Sequence, residues 1–220
     1  MKRLLILALI LGFIGPQLQA QSDKKAQDII TRVISNAKTN DDQKEKHLIF
    51  KKVKITRDFK TDDEDERKEL WQGVGYIEEP LEFDPGEVLS TSYDFTLYGS
   101  GTNTDGINFH QIRFRPRPNI SDGSNYYQKA AKRMSGTLWI DSDHLYVYRL
   151  SAEMPRDKSF SAWFFGSVDW VELSLTQSRR TDLKNIIVIN QVSAKVTYYV
   201  LGWPFNKEYI RRYQDYRYVN

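Results

Sequence analysis

From Ile186 to Val200 the chain alternates for longer than anywhere else. Val192, Ala194, Val196, Tyr198 and Val200 fall on one side, and Ser193, Lys195, Thr197 and Tyr199 on the other. A period of two sustained over that length cannot form a helical stripe; it describes a strand with one buried face, which needs neighbours on both edges. The neighbours are present. Gly136–Asp141 and Leu145–Leu150 flank a turn at Ser142-Asp143, and Trp170–Ser178 alternates with Val171, Leu173 and Leu175 in phase. His47–Phe59, Leu70–Ile77, Tyr93–Tyr98 and Ile107–Arg115 are further strand candidates, the last stopped by Pro116 and Pro118. Residues 208–218 read as a last strand because Tyr is abundant there, with a helix as the alternative.

One segment has the other periodicity. Ala26, Ile29, Ile30, Val33, Ile34 and Ala37 recur on a helical stripe over residues 22–38, with Ser22 or Asp23 as cap and Asn40-Asp41-Asp42 as stop. The stripe needs a partner surface, and the partner is sheet. Within the strands, a phase slip at Lys51-Lys52 signals a bulge. Gly99–Gly106 reads as a turn, and the DDEDE run at 62–66 as a solvated hairpin tip. Residues 80–91 read as irregular, and 126–134 as a short helix or a lead-in strand. The fold class is therefore mainly β (α+β): a strongly curved antiparallel sheet, an incomplete β-barrel, with an N-terminal helix lidding its concave face.

Residues 1–20 read as a secretory signal peptide. Lys2-Arg3 is the charged start, Leu4–Ile14 the apolar core, and Ala20 the small residue before the cut. Residues 21–220 then form a single domain, large enough to bury a core without disulfides, and the chain contains no Cys. The mature chain is expected to be exported and released. Cleavage removes Lys2 and Arg3 from 32 basic residues facing 29 acidic ones, leaving a net charge of +1. That balance argues against a nucleic-acid partner, so Arg113, Arg115 and Arg117 around Phe114 read as a solvated strand end.

Motifs of catalysis are missing from the sequence. His47, His110 and His144 stand alone, without the spacing of metal ligands. Tyr98-Gly-Ser-Gly101 lacks the spacing of a nucleophile elbow. Asp141, Asp143 and His144 are what a turn between strands requires. The remaining signal is aromatic: 13 Tyr, 11 Phe and 5 Trp. Such residues fill a sheet's packed face, or line a hollow for an apolar guest.

At Gly136-Thr-Leu-Trp-Ile-Asp141 the chain resembles the LolA/LolB-like superfamily of periplasmic lipoprotein-sorting proteins, in its uncharacterised bacterial branch. It shares a G-x-[LV]-W-I-D strand and a Tyr-rich ending, Tyr213-Gln-Asp-Tyr-Arg-Tyr218. The resemblance implies an incomplete barrel with helices over its concave face, binding acyl chains there. The expected function is a periplasmic, non-enzymatic carrier or binder of lipid or lipoprotein acyl chains in outer-membrane lipoprotein sorting. It would act as a monomer, without cofactor or metal, with inner- or outer-membrane proteins as further partners. The candidate cavity-lining residues are Trp139, Tyr148, Trp163, Phe165, Trp170 and Tyr198. The first helix and segments 80–91 or 154–169 are candidate lids. Two alternatives stand beside this: an envelope-stress sensor or protein-interaction module on the same fold, and a secreted hydrolase with an unrecognised site.

Overall fold

The computed structural model describes residues 22–41, 48–60, 64–67, 85–118, 126–163 and 166–218. The signal-peptide reading and the strand expected at Leu70–Ile77 lie outside them. Helix α1 covers residues 22–41. The strands are β1 (Leu48–Asp58), β2 (Glu64–Arg67), β3 (Tyr93–Thr102), β4 (Asn108–Pro116), β5 (Ser135–Asp141), β6 (Tyr146–Met154), β7 (Phe160–Trp163), β8 (Gly166–Arg180), β9 (Ile186–Val200) and β10 (Trp203–Tyr218). Two short helices interrupt them, α2 (Pro85–Ser92) and α3 (Tyr126–Ala131).

All ten strands belong to one antiparallel sheet in the order β2-β1-β10-β9-β8-β6-β5-β4-β3, with β7 paired to β8 off that path. Its two end strands do not meet, so the curved sheet stays open rather than closing into a barrel. The alternating segment read from Ile186 to Val200 is β9, paired along its length with β8 through two register shifts, and from Gln191 to Val200 with β10.

The helix forms where its stripe demanded. Ala26, Ile29, Ile30 and Val33 are buried in one cluster with Phe95, Ile112, Phe114, Leu138, Ile140, Ala152 and Met154 from β3 to β6. Each fully buried Ile or Val contributes about 1.5–3 kcal/mol relative to exposure. Polar contacts fix the helix at both ends. Ser22 Oγ donates to the Leu97 carbonyl (2.8 Å) and Thr96 Oγ1 donates to Asp23 (2.8 Å), tying the start to the β3 edge. Asn40 grips Ile187 of β9 twice: its Nδ2 donates to the carbonyl at 3.0 Å, and the Ile187 N–H donates to its Oδ1 at 2.8 Å.

The GTLWID strand is β5. A Cβ placed on Gly136 would stand 2.1 Å from the Ser151 carbonyl oxygen and 2.7 Å from the Ala152 Cα. The motif therefore opens on glycine because β6 passes too close for any side chain. The turn after it is built by Asp141, whose Oδ1 accepts the N–H groups of Asp143 and His144, each at 2.8 Å. This is the turn chemistry expected there.

Several local expectations are revised. Of the DDEDE run, Glu64, Asp65 and Glu66 sit in β2 rather than in a hairpin tip, opposite Arg57, Thr56 and Ile55, and the two residues before them lie outside the described residues. Gly99–Thr102 continues β3, and the turn shortens to the residues around Asn103, whose Oδ1 accepts two backbone N–H groups. Residues 85–92 are helical, and 154–169 contains the strand β7 rather than a long loop. The slip in β1 has two sources. A register shift lies between Ile49 and Lys51, where β10 carries Asp215 at φ 55°. In addition β1 buries opposite faces along its length. Leu48 joins Leu183, Ile186 and Val188, whereas Val53 and Ile55 form a separate cluster with Ile210.

Candidate functional site

Pairing partners share a face and neighbours along a strand alternate, so the register assigns sides. Val171, Leu173, Val196 and Tyr198 pack with the α1 cluster. The residues between them face away: Glu172, Lys195 and Thr197.

Beyond the helix, the α1-facing side turns aromatic. Tyr198 stacks on its cross-strand partner Phe205, with centroids 5.2 Å apart and planes at 12°. Tyr209, opposite Ala194, continues the same side of β10. Phe205 is 36% exposed and Tyr209 42%, so the strip meets solvent where α1 does not reach. Burial, followed by the charge of and hydrogen bond to Tyr198, raises the Tyr209 hydroxyl above its ordinary value. Lys207 stands between Phe205 and Tyr209 on the same side, opposite Val196, with its ammonium 3.7 Å from the Asp58 carboxylate. The strip runs to the β9–β10 turn, where Leu201 (φ 51°) and Gly202 (φ 83°) make a two-residue hairpin of the type that needs two left-handed residues. Leu201 at 69% and Trp203 at 72% are the most exposed large apolar side chains among the described residues.

Among the candidate residues whose sides the register assigns, the two sides are both represented. Tyr198 alone is on the α1 side, and it joins the core to the strip. Trp139 lies opposite Arg149 on the outer side, its ring 4.9 Å from that guanidinium. Trp170, opposite Thr197, is also outside; its Nε1 donates to Glu153 at 2.9 Å and its ring meets Phe59 edge-on at 6.0 Å. Tyr148 sits at an irregularity of β6 and meets Phe109 edge-on at 6.1 Å. Trp163 ends β7, paired to Gly166; its side chain, like Phe165, lies outside the described residues. Sequence reasoning missed Phe205, Trp203 and Tyr209 as a group. The signal was the alternation of Trp203, Phe205, Lys207 and Tyr209, hidden because the charged Lys207 interrupts it and because the strand readings left out residues 201–207.

The outer side carries charge in a single row. Glu153, Glu172, Lys195, Glu208, Arg57 and Glu64 are successive cross-strand partners from β6 to β2. Within it Arg57 is hydrogen-bonded to Glu208, Ser193 Oγ donates to the same carboxylate at 2.9 Å, and Lys195 stands 3.9 Å from Glu172. Among the described residues no group of three His, Cys, Asp or Glu is arranged to hold a metal ion, and no helix is long and apolar enough to cross a membrane.

No family model and no curated protein matches the chain. Among solved structures, the complex of MucA and MucB from Pseudomonas aeruginosa matches with a TM-score of 0.29 and 11% identity, over 89% of this chain and 99% of that one. A crystal structure of MucB in complex with MucA(peri) matches at 0.28 and 12%, with the same coverage.

Proposed function

We propose that this chain is an exported, non-catalytic binding protein of the periplasm that shelters an acyl chain against the uncovered half of its α1-facing sheet. The observation that carries this reading is the aromatic strip. Tyr198, Phe205 and Tyr209 continue the face that α1 buries elsewhere, and they remain partly exposed. An acyl chain in water costs about 0.8 kcal/mol per exposed CH₂, so a flat aromatic surface beside an apolar core is a favourable resting place for one. The signal-peptide reading of residues 1–20 and the LolA/LolB-like resemblance at Gly136–Asp141 support the same class, and lipoprotein sorting is the task that class performs.

The test is native mass spectrometry of protein purified from the periplasm, followed by titration with lauric acid and with phospholipid. The wild type is expected to carry or take up acyl material. The double variant Phe205→Asp, Tyr209→Asp is expected to lose it while keeping its melting temperature within a few degrees. Wild-type protein that stays empty when offered both lipids would remove the reading.

A second reading, a sensor or protein-interaction module on the same fold, is favoured by the β9–β10 turn. Leu201 and Trp203 stand further into solvent than a lipid-sheltering surface needs. Under it, Trp203→Ser leaves lipid uptake unchanged and abolishes a protein contact.

A further inference from the structure

We infer that the outer side of β3–β6, opposite to the α1-facing strip, is a binding site for an anionic saccharide. A cleft of about 570 Å³ lies there, lined by side chains that alternate with the core: Tyr98, Arg113, Arg115, Thr137, Trp139 and Glu153 among them. The two aromatic rings each carry a guanidinium, Arg113 over Tyr98 at 3.5 Å and Arg149 over Trp139 at 4.9 Å. Tyr98 is 58% exposed, held outward by the irregularity between Leu97 and Gly99.

The charges decide the ligand's sign. Among the described residues Arg113, Arg115 and Arg149 have no carboxylate partner, and all three are exposed. Of the two carboxylates in the lining, Asp94 is paired with a guanidinium and Glu153 keeps its charge, which the three arginines outnumber. Asp94 accepts from Arg117 at 3.2 Å, and Glu153 accepts from Trp170. Arg117 is engaged in turn, also donating to the Thr91 carbonyl at 3.1 Å at the end of α2. What is left over is a set of forked donors suited to carboxylate, sulfate or phosphate oxygens.

The surroundings decide the rest. Ring faces carry partial negative charge and attract the C–H face of a sugar ring as they attract a cation. The hydroxyls of Ser135, Thr137 and Ser151, also in the lining, suit its hydroxyl groups. The cleft is open and broad, on the face of a sheet rather than in a closed apolar pocket. A polar polymer lies on such a surface more readily than a small apolar molecule enters it. The near-neutral charge of the whole chain argues against a nucleic acid, which needs a wide basic surface.

The test uses the intact protein and three probes: hexagalacturonate, maltohexaose and hexaglutamate, read by calorimetry and by tryptophan fluorescence. Saturable binding of hexagalacturonate is expected, weakening as salt rises, with maltohexaose and hexaglutamate at least tenfold weaker. Arg115→Ala is expected to weaken hexagalacturonate about tenfold, as the loss of one charged hydrogen-bonding group does, with an unchanged melting curve because Arg115 is exposed and has no carboxylate partner among the described residues. Trp139→Phe keeps a ring in the sheet and is expected to weaken binding by a smaller factor. Equal binding of maltohexaose removes the anionic requirement and overturns the proposal. Equal binding of hexaglutamate makes the site a general polyanion surface and overturns the saccharide assignment. Absence of saturable binding, or an Arg115→Ala variant that binds as tightly as wild type, overturns it outright.

Discussion

Glu208 is 4% exposed, in the middle of β10. Burial pushes its carboxyl up, but the Arg57 guanidinium, the Ser193 hydroxyl and the Lys195 charge together prevail and hold it below the ordinary value. A carboxyl lowered in the folded state contributes stability above its unfolded value and loses it as pH falls through the folded one. Glu208→Gln should therefore cost about 1–2 kcal/mol near neutral pH, with the gap to wild type closing in strong acid; urea titrations at both ends check this. A gap that stays constant with pH would mean that packing, not charge, holds the residue. At this scale the sequence was partly legible. Asp141 was readable as a turn residue, because short polar side chains that cap backbone N–H groups look the same in any fold. Gly136 was readable as part of a motif only. Its reason, the carbonyl of Ser151 across the pair, belongs to a neighbour fifteen residues away.

Among the elements, α1 was the most legible, since a stripe of Ile and Val at helical spacing admits one structure. Its docking was not, because Asn40 reads as a helix stop whether or not it grips a strand. The two bonds from Asn40 to Ile187 make it the clasp between helix and sheet. Asn40→Ala leaves both backbone groups of Ile187 without the partner they have in the half-buried interior, and is expected to cost about 1–3 kcal/mol. Hydrogen exchange should show the last turn of α1 and the start of β9 opening together in the variant, with β3–β6 unaffected. β10 was less legible. Tyr209 and Tyr213, four residues apart on one face, also fit a helical pattern, and Asp215 at φ 55° breaks the alternation after them. The strand readings also left out residues 201–207, which hid the partnership of Tyr198 with Phe205, and with it the aromatic strip.

From β3 to β8 the molecule separates two chemistries by the parity of its strands; at β10 and β1 the division blurs, with buried Val53, Ile55 and Ile210 on the side of the charged row and Lys207 on the aromatic side. On one side are the helix, the core and the aromatic strip. On the other are the charged row and the arginine-lined cleft. The candidate list of six aromatics could not see this division, because side depends on register and register depends on partners far along the chain. Trp139 and Tyr198 looked alike as large residues in alternating strands, yet they face opposite ways.

The strand order also places β1 against β10, so that Arg57 meets Glu208 across 151 residues. Bringing ends that far apart together costs chain entropy before any contact returns it, about 4 kcal/mol by the logarithmic rule. Folding dominated by such pairings is slow. A refolding experiment should show β3–β6, whose partners are close in sequence, protected from exchange well before β1. A β1 protected as early as β5 would contradict this order. For a chain made and moved from one end, this gives β1 a long wait. It emerges early, its true neighbour emerges last, and until then its open edge is available to any extended segment that passes. The acidic strand β2, following β1 at once and pairing with its other edge, halves that exposure from the beginning and acts as a guard for the time the chain is still arriving.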